Sequence, residues 1–200
     1  MIIHRRTLMA ALPAAAAAAA LPTSNANSRG DQDEARSVSF IPAAALPEDE
    51  RAQHEHYMAK ALNLAEAGPG PFAAVIVDRR QDRIICQGNN KPRESRILHG
   101  EIVAILECAK IEPRVNWQEL TLYTTAEPCP MCMSAIVWNR IPEVVFATSV
   151  EELIELGSNQ FRLDSPTVAA SAPFYSGRII AGVLQERANE LYRKWASTRE

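Results

Sequence analysis

The order of apolar segments along the chain constrains the fold more than any other feature of the sequence. A continuous apolar run from Phe72 to Val77 predicts a buried strand, and a polar turn joins it to a second strand from Arg83 to Gln87. Beyond this hairpin the patterns alternate between helix (99–110, 129–139, 150–156, 184–195) and strand (120–125, 143–148, 178–181). Such alternation predicts an α/β domain, a three-layer α/β/α sandwich around a mixed five-stranded sheet.

The first 26 residues have the three parts of an export signal in the expected order. Arg5 and Arg6 form a basic patch, Leu8 to Leu21 is apolar, and Ser24-Asn25-Ala26 offers a small-residue cleavage site. The apolar stretch is mostly alanine and is too short for a comfortable bilayer span. The adjacent arginines resemble a twin-arginine signal, which predicts export to the periplasm. An ordinary secretory signal or a disordered tail remains the alternative.

The rest of the chain divides into a leader and one domain. Residues 27–46 begin polar and charged without apolar periodicity, and they predict a flexible leader. From Pro47 to Ala67 the pattern predicts a helix, with acidic residues at its positive end and Gly68 as its stop. Residues 47–200 have the length of a single domain. The full chain is 47% hydrophobic and 22% charged, a composition typical of a soluble globular protein.

The charge of the chain bears on its partners. The formal net charge is −3, and removal of Arg5 and Arg6 with the signal makes it more negative. A net acidic protein is repelled by phosphate backbones. The acidic net charge therefore favours a small-molecule substrate over a nucleic acid. No stable membrane span is expected once the signal is removed.

Two short motifs carry the chemistry, and each opens a predicted helix. They are His99-Gly100-Glu101 and Pro128-Cys129-Pro130-Met131-Cys132. Thiolates are favoured at a helix N-terminus, where backbone N–H groups and the helix dipole attract negative charge. One imidazole and two thiolates give Zn²⁺ three ligands and leave a fourth position for water, as in catalytic zinc sites. Glu101, which the metal does not need, is placed to move protons as a general base and acid.

The cysteine pair has alternative interpretations, which depend on the other cysteines and histidines of the chain. Cys129 and Cys132 alone are also compatible with a redox pair or a structural zinc site. A structural site needs a fourth ligand, but Cys86 and Cys108 lie in apolar surroundings and are predicted to be buried as small hydrophobic residues. His54 and His56, two apart on the first helix, are predicted to be solvated.

By these residues the chain resembles the cytidine and guanine deaminase superfamily, whose signature is H-x-E followed by P-C-x-x-C. The resemblance extends from about His54 to Val150. Residues 54–62 (HEHYMAKAL) resemble the opening helix of bacterial tRNA adenosine deaminases, and residues 71–77 (PFAAVIV) resemble the first strand of guanine deaminases. Residues 121–132 (TLYTTAEPCPMC) resemble the guanine and cytosine deaminase branch.

The resemblance implies further site residues. Asn90 matches an asparagine that hydrogen-bonds the substrate, and Trp138 matches a tryptophan of bacterial guanine deaminases. Trp138 and Phe72 are therefore expected to form the two sides of a slot that stacks a planar base. Without the resemblance, a buried aromatic at a helix end explains Trp138 equally well. The resemblance also implies a homodimer.

Three departures from the family pattern bear on the substrate. Gly100 stands where guanine and tRNA deaminases mostly carry alanine, and Ala73 stands where glycine is usual. After Gly157 the chain reads Ser158-Asn159-Gln160, where guanine deaminases have acidic residues that grip the purine edge. Guanine is therefore expected to be a weaker substrate than at least one other amino-purine or amino-pyrimidine.

The function predicted from the sequence is zinc-dependent hydrolytic deamination of a nucleobase, nucleoside or related amino-heterocycle, with release of ammonia. A tRNA adenosine deaminase is the alternative enzyme, and the acidic balance and the export signal argue against it. A zinc or redox module without catalysis is the alternative from another class. A non-catalytic module of this kind would give Glu101 no role, which argues against this alternative.

Overall fold

A six-stranded mixed sheet forms the middle layer of the computed structural model, which describes residues 37–111 and 115–198. Along the sheet the order is β1-β6-β5-β4-β2-β3. β2 is antiparallel to β3 and β4, and the other pairs are parallel. The strands are β1 (Ser39–Pro42), β2 (Ala73–Asp78), β3 (Arg83–Asn89), β4 (Leu120–Ala126), β5 (Glu143–Thr148) and β6 (Arg178–Ala181).

Helices cover both faces of this sheet. α1, α4 and α6 pack on one face and α2, α3 and α5 on the other, which confirms the predicted three-layer α/β/α class. β4 and β5 are buried along their whole length, as expected for strands between two helical layers. The helices are α1 (Glu48–Ala67), α2 (Gly100–Ile111), α3 (Pro130–Asn139), α4 (Val150–Glu155), α5 (Ser165–Ala170) and α6 (Gln185–Ser197).

The predicted count of five strands is wrong because it omits β1. Residues 39–46 were also assigned to the flexible leader of residues 27–46, yet they form β1 and a 3₁₀ turn, Ala43–Ala45. Ala43 and Leu46 enter the core. A four-residue edge strand that ends in proline has little local signal, and β1 forms because β6 offers it a partner far along the chain. The predicted signal and residues 27–36 lie outside the described residues.

A disulfide joins Cys86 on β3 to Cys108 on α2, with 5.5 Å between their Cα atoms. The predicted burial of both residues is confirmed, but the bond itself was not predicted. Sequence spacing does not reveal connectivity, whereas the packing of α2 on β3 brings the two side chains together. The bond therefore fastens the helix that begins directly after His99 to the sheet.

His54 is buried, so the prediction that it is solvated is wrong. Its position continues the apolar face of α1, which recurs every three or four residues at Tyr57, Met58 and Ala61. Its Nδ1 lies 3.0 Å from the hydroxyl of Tyr123, while Nε2 has no hydrogen-bond partner among the described residues. His56 is exposed, as expected.

No helix in residues 37–111 and 115–198 combines the length and the apolar character needed to cross a bilayer.

Candidate active site

The two chemical motifs meet where α2 and α3 begin, side by side on one face of the sheet. His99 directly precedes α2, Cys129 caps the N-terminus of α3, and Cys132 lies in the first turn of α3. Both helices start from loops at the same edge of the sheet, after β3 in one case and after β4 in the other. This edge is the carboxyl end of β4 and of β5, where α/β sheets commonly carry their sites.

The three predicted ligands form a cluster that fits a tetrahedral metal. His99 Nδ1 lies 3.6 Å from Cys129 Sγ and 3.5 Å from Cys132 Sγ, and all three ligand atoms lie within 4.8 Å of one another. Zinc bonds of about 2.0 Å to nitrogen and 2.3 Å to sulfur, at tetrahedral angles, separate the two atom types by about 3.5 Å. The donor set and its spacing therefore match a zinc site with one position left open.

The protonation of this cluster depends on close coupling between its members. Hydrogen bonding from Cys132 and from His99 lowers the pKa of the Cys129 thiol to about 4. The hydrogen bond to Cys129 raises the pKa of His99, and the same coupling together with burial raises the pKa of Cys132. A metal ion that binds here has to displace protons, so its affinity is expected to fall as the pH falls.

Glu101 lies in the first turn of α2 and lines the cleft that contains the three ligands. Only 6% of the residue is exposed, and this burial raises the pKa of its carboxyl above the ordinary value. A carboxyl with a raised pKa exchanges protons more readily near neutral pH than an exposed one does. This is the position and environment expected of the predicted proton carrier.

Asn90 fixes the start of α2. Its Oδ1 accepts a hydrogen bond of 2.6 Å from the N–H of Gly100, and its own N–H donates to the carbonyl of Phe72. The prediction placed Asn90 at the substrate, and the residue does line the cleft. Its carbonyl oxygen is engaged by the backbone, so the amide NH₂ is the group it can offer to a bound molecule.

α2 approaches β2 and β3 too closely for side chains at two glycines. A Cβ on Gly88 would lie 2.5 Å from the carbonyl oxygen of Gly100, and a Cβ on Gly100 would lie 3.0 Å from the Cα of Ala73. Gly100 and Ala73 are two of the positions at which the sequence departs from the family pattern, and they are in contact. The glycine after the ligand histidine is therefore explained by the short distance between α2 and the sheet.

An open cleft of about 1180 Å³ leads to His99, Glu101 and Cys129. Phe72 forms part of its wall, as expected, and Trp195 of α6 packs edge-on against Phe72 with 5.6 Å between the ring centroids. Residues 156–161 form a further part of the wall, and they include the Ser158-Asn159-Gln160 segment that the sequence identified. The cleft thus combines aromatic faces with neutral amides.

Trp138 does not lie in this cleft, so the predicted slot between Trp138 and Phe72 is wrong for the described chain. Trp138 is 74% exposed at the far end of α3, where it packs against Phe174. Ten residues of helix separate the metal-binding end of α3 from its other end, and Trp138 lies near the latter. Trp195 takes the place beside Phe72 that the sequence had assigned to Trp138.

Sequence reasoning missed several further residues of the cleft, among them Arg96, Glu127 and Trp195. Trp195 lies in the predicted helix 184–195, whose sequence gives no sign that it reaches the cleft. Glu127 stands two residues before Cys129, and its position next to the motif was the one local signal that could have pointed to it. Arg96 lies in an irregular loop whose sequence does not indicate its direction.

Comparisons with known proteins agree with this geometry. Residues 51–148 match the family model for the cytidine and deoxycytidylate deaminase zinc-binding region. A guanine deaminase of Bacillus subtilis is 34% identical over 133 residues, which cover 61% of this chain and 84% of the relative. A tRNA-specific adenosine deaminase of Rickettsia felis is 32% identical over 127 residues, which cover 62% and 85%.

The fold is also shared with solved structures. The guanine deaminase from Nitrosomonas europaea superposes with a TM-score of 0.61 and 25% identity, over 76% of this chain and 94% of that one. The three-ligand cluster and the buried Glu101 are thus found in a chain whose relatives are deaminases. The chain belongs to the cytidine and deoxycytidylate deaminase family and is a deaminase of the hydrolase class.

Proposed function

We propose that the protein is a zinc-dependent enzyme that hydrolytically deaminates a nucleobase or a related free amino-heterocycle. The observation that carries this proposal is the arrangement at the base of the cleft. The buried carboxyl of Glu101 lies beside three ligand atoms whose spacing fits zinc with one open position. His99, Cys129 and Cys132 would hold the metal. When bound, zinc supplies the Lewis acidity that activates water as a nucleophile at neutral pH.

Glu101 then has two proton transfers to perform. It accepts a proton from the attacking water and donates it to the ring nitrogen next to the amino-bearing carbon, while the water oxygen bonds to that carbon and makes it tetrahedral. It then takes the proton of the new hydroxyl group and passes it to the amino group, the C–N bond breaks, and ammonia leaves while the carbon becomes a carbonyl. Water is consumed, and no oxidant or reductant is needed.

The walls of the cleft support a planar substrate. Phe72 and Trp195 offer aromatic surface, and Asn90 offers an amide NH₂. Asn159 and Gln160 are neutral, so they offer one carbonyl oxygen each where guanine deaminases have carboxylates. We therefore expect guanine to be turned over more slowly than at least one other amino-purine or amino-pyrimidine.

A substrate panel tests this function directly. Zinc-loaded protein is offered amino-purines, amino-pyrimidines, their nucleosides and amino-triazines, and ammonia release is measured. Glu101→Gln is expected to keep its zinc and lose several orders of magnitude in turnover. Glu107→Gln is the matched control, because this carboxylate lies on the same helix but pairs with Lys110. Loss of zinc from Glu101→Gln would contradict the assigned role, and guanine as by far the best substrate would contradict the expected preference.

The ligand set has a separate test. Cys129→Ala and Cys132→Ala are each expected to lower bound zinc together with activity, because a three-ligand site does not tolerate the loss of a thiolate. Ser134→Ala, on an exposed residue of the same helix, is the control. Full zinc occupancy in both cysteine variants would rule out this site.

A tRNA adenosine deaminase is the second candidate, and the 32% identical relative from Rickettsia felis favours it. The acidic balance of the chain argues against binding an RNA backbone. The substrate panel separates the two functions when it includes an anticodon stem-loop RNA. Turnover of this RNA and of no free base or nucleoside would replace the first proposal with the second.

We also propose that the protein is exported by the twin-arginine route and acts in the periplasm as a homodimer. The Cys86–Cys108 disulfide supports an oxidising compartment. Cell fractionation with N-terminal sequencing is expected to find a chain that starts near Asn27, and Arg5→Lys with Arg6→Lys is expected to block export. An uncut cytoplasmic chain would contradict export. Light scattering measures the mass in solution, and a monomer at all concentrations would contradict the dimer.

A further inference from the structure

Glu127 places a buried carboxylate between three segments of the cleft. It lies between the end of β4 and the Pro128-Cys129 motif, and only 7% of it is exposed. One carboxylate oxygen accepts a hydrogen bond of 2.9 Å from the N–H of Val150. The other accepts from both the N–H and the hydroxyl of Ser165, at 2.7 Å and 2.9 Å.

Val150 and Ser165 are the first residues of α4 and α5. N–H groups in the first turn of a helix have no partner within the helix, so one carboxylate here supplies an acceptor to two helices. The chain between them contains residues 156–161, which form a wall of the cleft. Glu127 therefore holds both ends of this wall segment, residues 150–165.

The same side chain is fixed to the metal-binding loop by the backbone. The N–H of Glu127 donates a hydrogen bond of 2.7 Å to the carbonyl of Thr148, at the end of β5. Cys129 follows two residues later and caps α3. The distance between the wall segment and the ligand cluster thus depends on Glu127, which lines the cleft but is not one of the three metal ligands.

We propose that Glu127 is a positioning residue: its carboxylate ties the wall segment 150–165 to the metal-binding loop and so sets the width of the cleft around the substrate. This inference rests on the proposed deaminase function for its effect on KM. Its structural part does not depend on which compound is turned over. Charge-assisted hydrogen bonds to buried backbone donors are among the stronger ones in proteins, so their loss has a measurable effect.

Glu127→Gln removes the negative charge of the side chain and one of its two acceptor oxygens. The glutamine has the same shape, but its NH₂ group replaces one of the two acceptor oxygens and meets an N–H donor of Val150 or Ser165. One end of the wall segment is then released while the ligands and Glu101 remain in place. Glu151→Gln, on an exposed carboxylate of α4, is the matched control.

Hydrogen exchange tests the structural part without any substrate. In zinc-loaded Glu127→Gln we expect amides of residues 150–165 to exchange about tenfold to a hundredfold faster, as the loss of such a bond implies. Amides of β2 and β4 should keep their wild-type rates. Unchanged exchange in 150–165, or an equal increase throughout the domain, would overturn the proposal.

Steady-state kinetics on the best substrate of the panel tests the functional part. We expect Glu127→Gln to raise KM about tenfold or more and to change kcat by less than about threefold. A loss of folded enzyme alone would lower apparent kcat and leave KM unchanged, and that result would overturn the positioning role. A wild-type enzyme that deaminates no compound of the panel would refute the proposed function, and hydrogen exchange would still decide the role of Glu127.

Ser165→Ala provides a second variant in case Glu127→Gln does not fold. It removes one of the three donors, the hydroxyl, and leaves the backbone bond intact. A smaller selective increase in exchange and in KM would support the proposal. Wild-type exchange and wild-type KM in this variant, with no folded Glu127→Gln, would overturn it.

Discussion

Gly88 lies where β3 meets α2, and replacing it with alanine tests how the sheet positions the ligand histidine. A Cβ at this position would lie 2.5 Å from the carbonyl oxygen of Gly100 and 2.6 Å from the backbone nitrogen of Ala104. Both are backbone atoms of α2 and cannot rotate away. Since ordinary contacts begin near 3.4 Å, α2 has to recede from β3 by most of an ångström.

The expected loss of stability follows from this displacement. Overpacking of this kind costs about 1 to 3 kcal/mol, and the reduced freedom of the unfolded chain offsets up to about 1 kcal/mol. Because the obstruction is backbone, we expect a net loss of about 2 kcal/mol. For a domain of this size that corresponds to a Tm about 4 to 8 °C lower.

The displacement of α2 should also disturb the metal site. Gly100 directly follows His99, so a shift of α2 moves His99 relative to Cys129 and Cys132, and zinc affinity should fall. Thermal unfolding by circular dichroism and competition with a chelator measure the two effects. Gly70→Ala is the control, because its Cβ would only contact the Trp195 side chain at 3.4 Å. If Gly88→Ala matched this control in both measurements, the close approach would not position the ligand.

Three other predictions address the rest of the fold and the cleft. Replacing Cys86 and Cys108 with alanine should cost about 3 kcal/mol, the contribution of a disulfide that closes a loop of this length, as measured by thermal unfolding. Burial lowers the pKa of His54, so the unfolded chain takes up a proton that the folded chain does not, and stability should fall as the pH drops below about 6.5. In His54→Gln this part of the pH dependence should disappear. Trp195→Ala should raise KM about tenfold, as the loss of a stacking face implies, while Trp138→Ala should leave KM unchanged.

Each of these has a contradicting result. Equal Tm values for the oxidised protein and the alanine pair would mean that the disulfide adds nothing. An unchanged pH profile in His54→Gln would mean that the carboxylates of Glu50 and Glu143, which oppose Arg178 around this histidine, hold its pKa near the ordinary value. A raised KM in Trp138→Ala but not in Trp195→Ala would restore the slot first expected from the sequence.

The sequence predicted those features that have a local cause. The strands 143–148 and 178–181 were predicted with the bounds that the structure shows, because each is an apolar run between clear breaks. His99, Glu101, Cys129 and Cys132 were predicted because their types and spacing follow from metal chemistry. The structure brings all four together.

What the sequence did not predict depends on contacts between distant segments. β1 forms on β6, the Cys86–Cys108 bond forms because α2 packs on β3, and Trp195 reaches the cleft from the C-terminal helix. Trp138 was placed by analogy at a helix end, and only the direction of α3 shows that this end points away from the ligands. Burial of His54 likewise follows from the position of α1 against β4.

The pairing of β1 with β6 has a consequence for the order in which the chain folds. Ser39 lies opposite Arg178, so the first strand of the described residues finds its partner only when nearly the whole domain has been synthesised. Strands with distant partners close late, because the long intervening loop carries an entropic cost until the rest of the sheet is in place. β1 is therefore expected to pair with the sheet last, so the formation of β1 would indicate that the rest of the domain has folded.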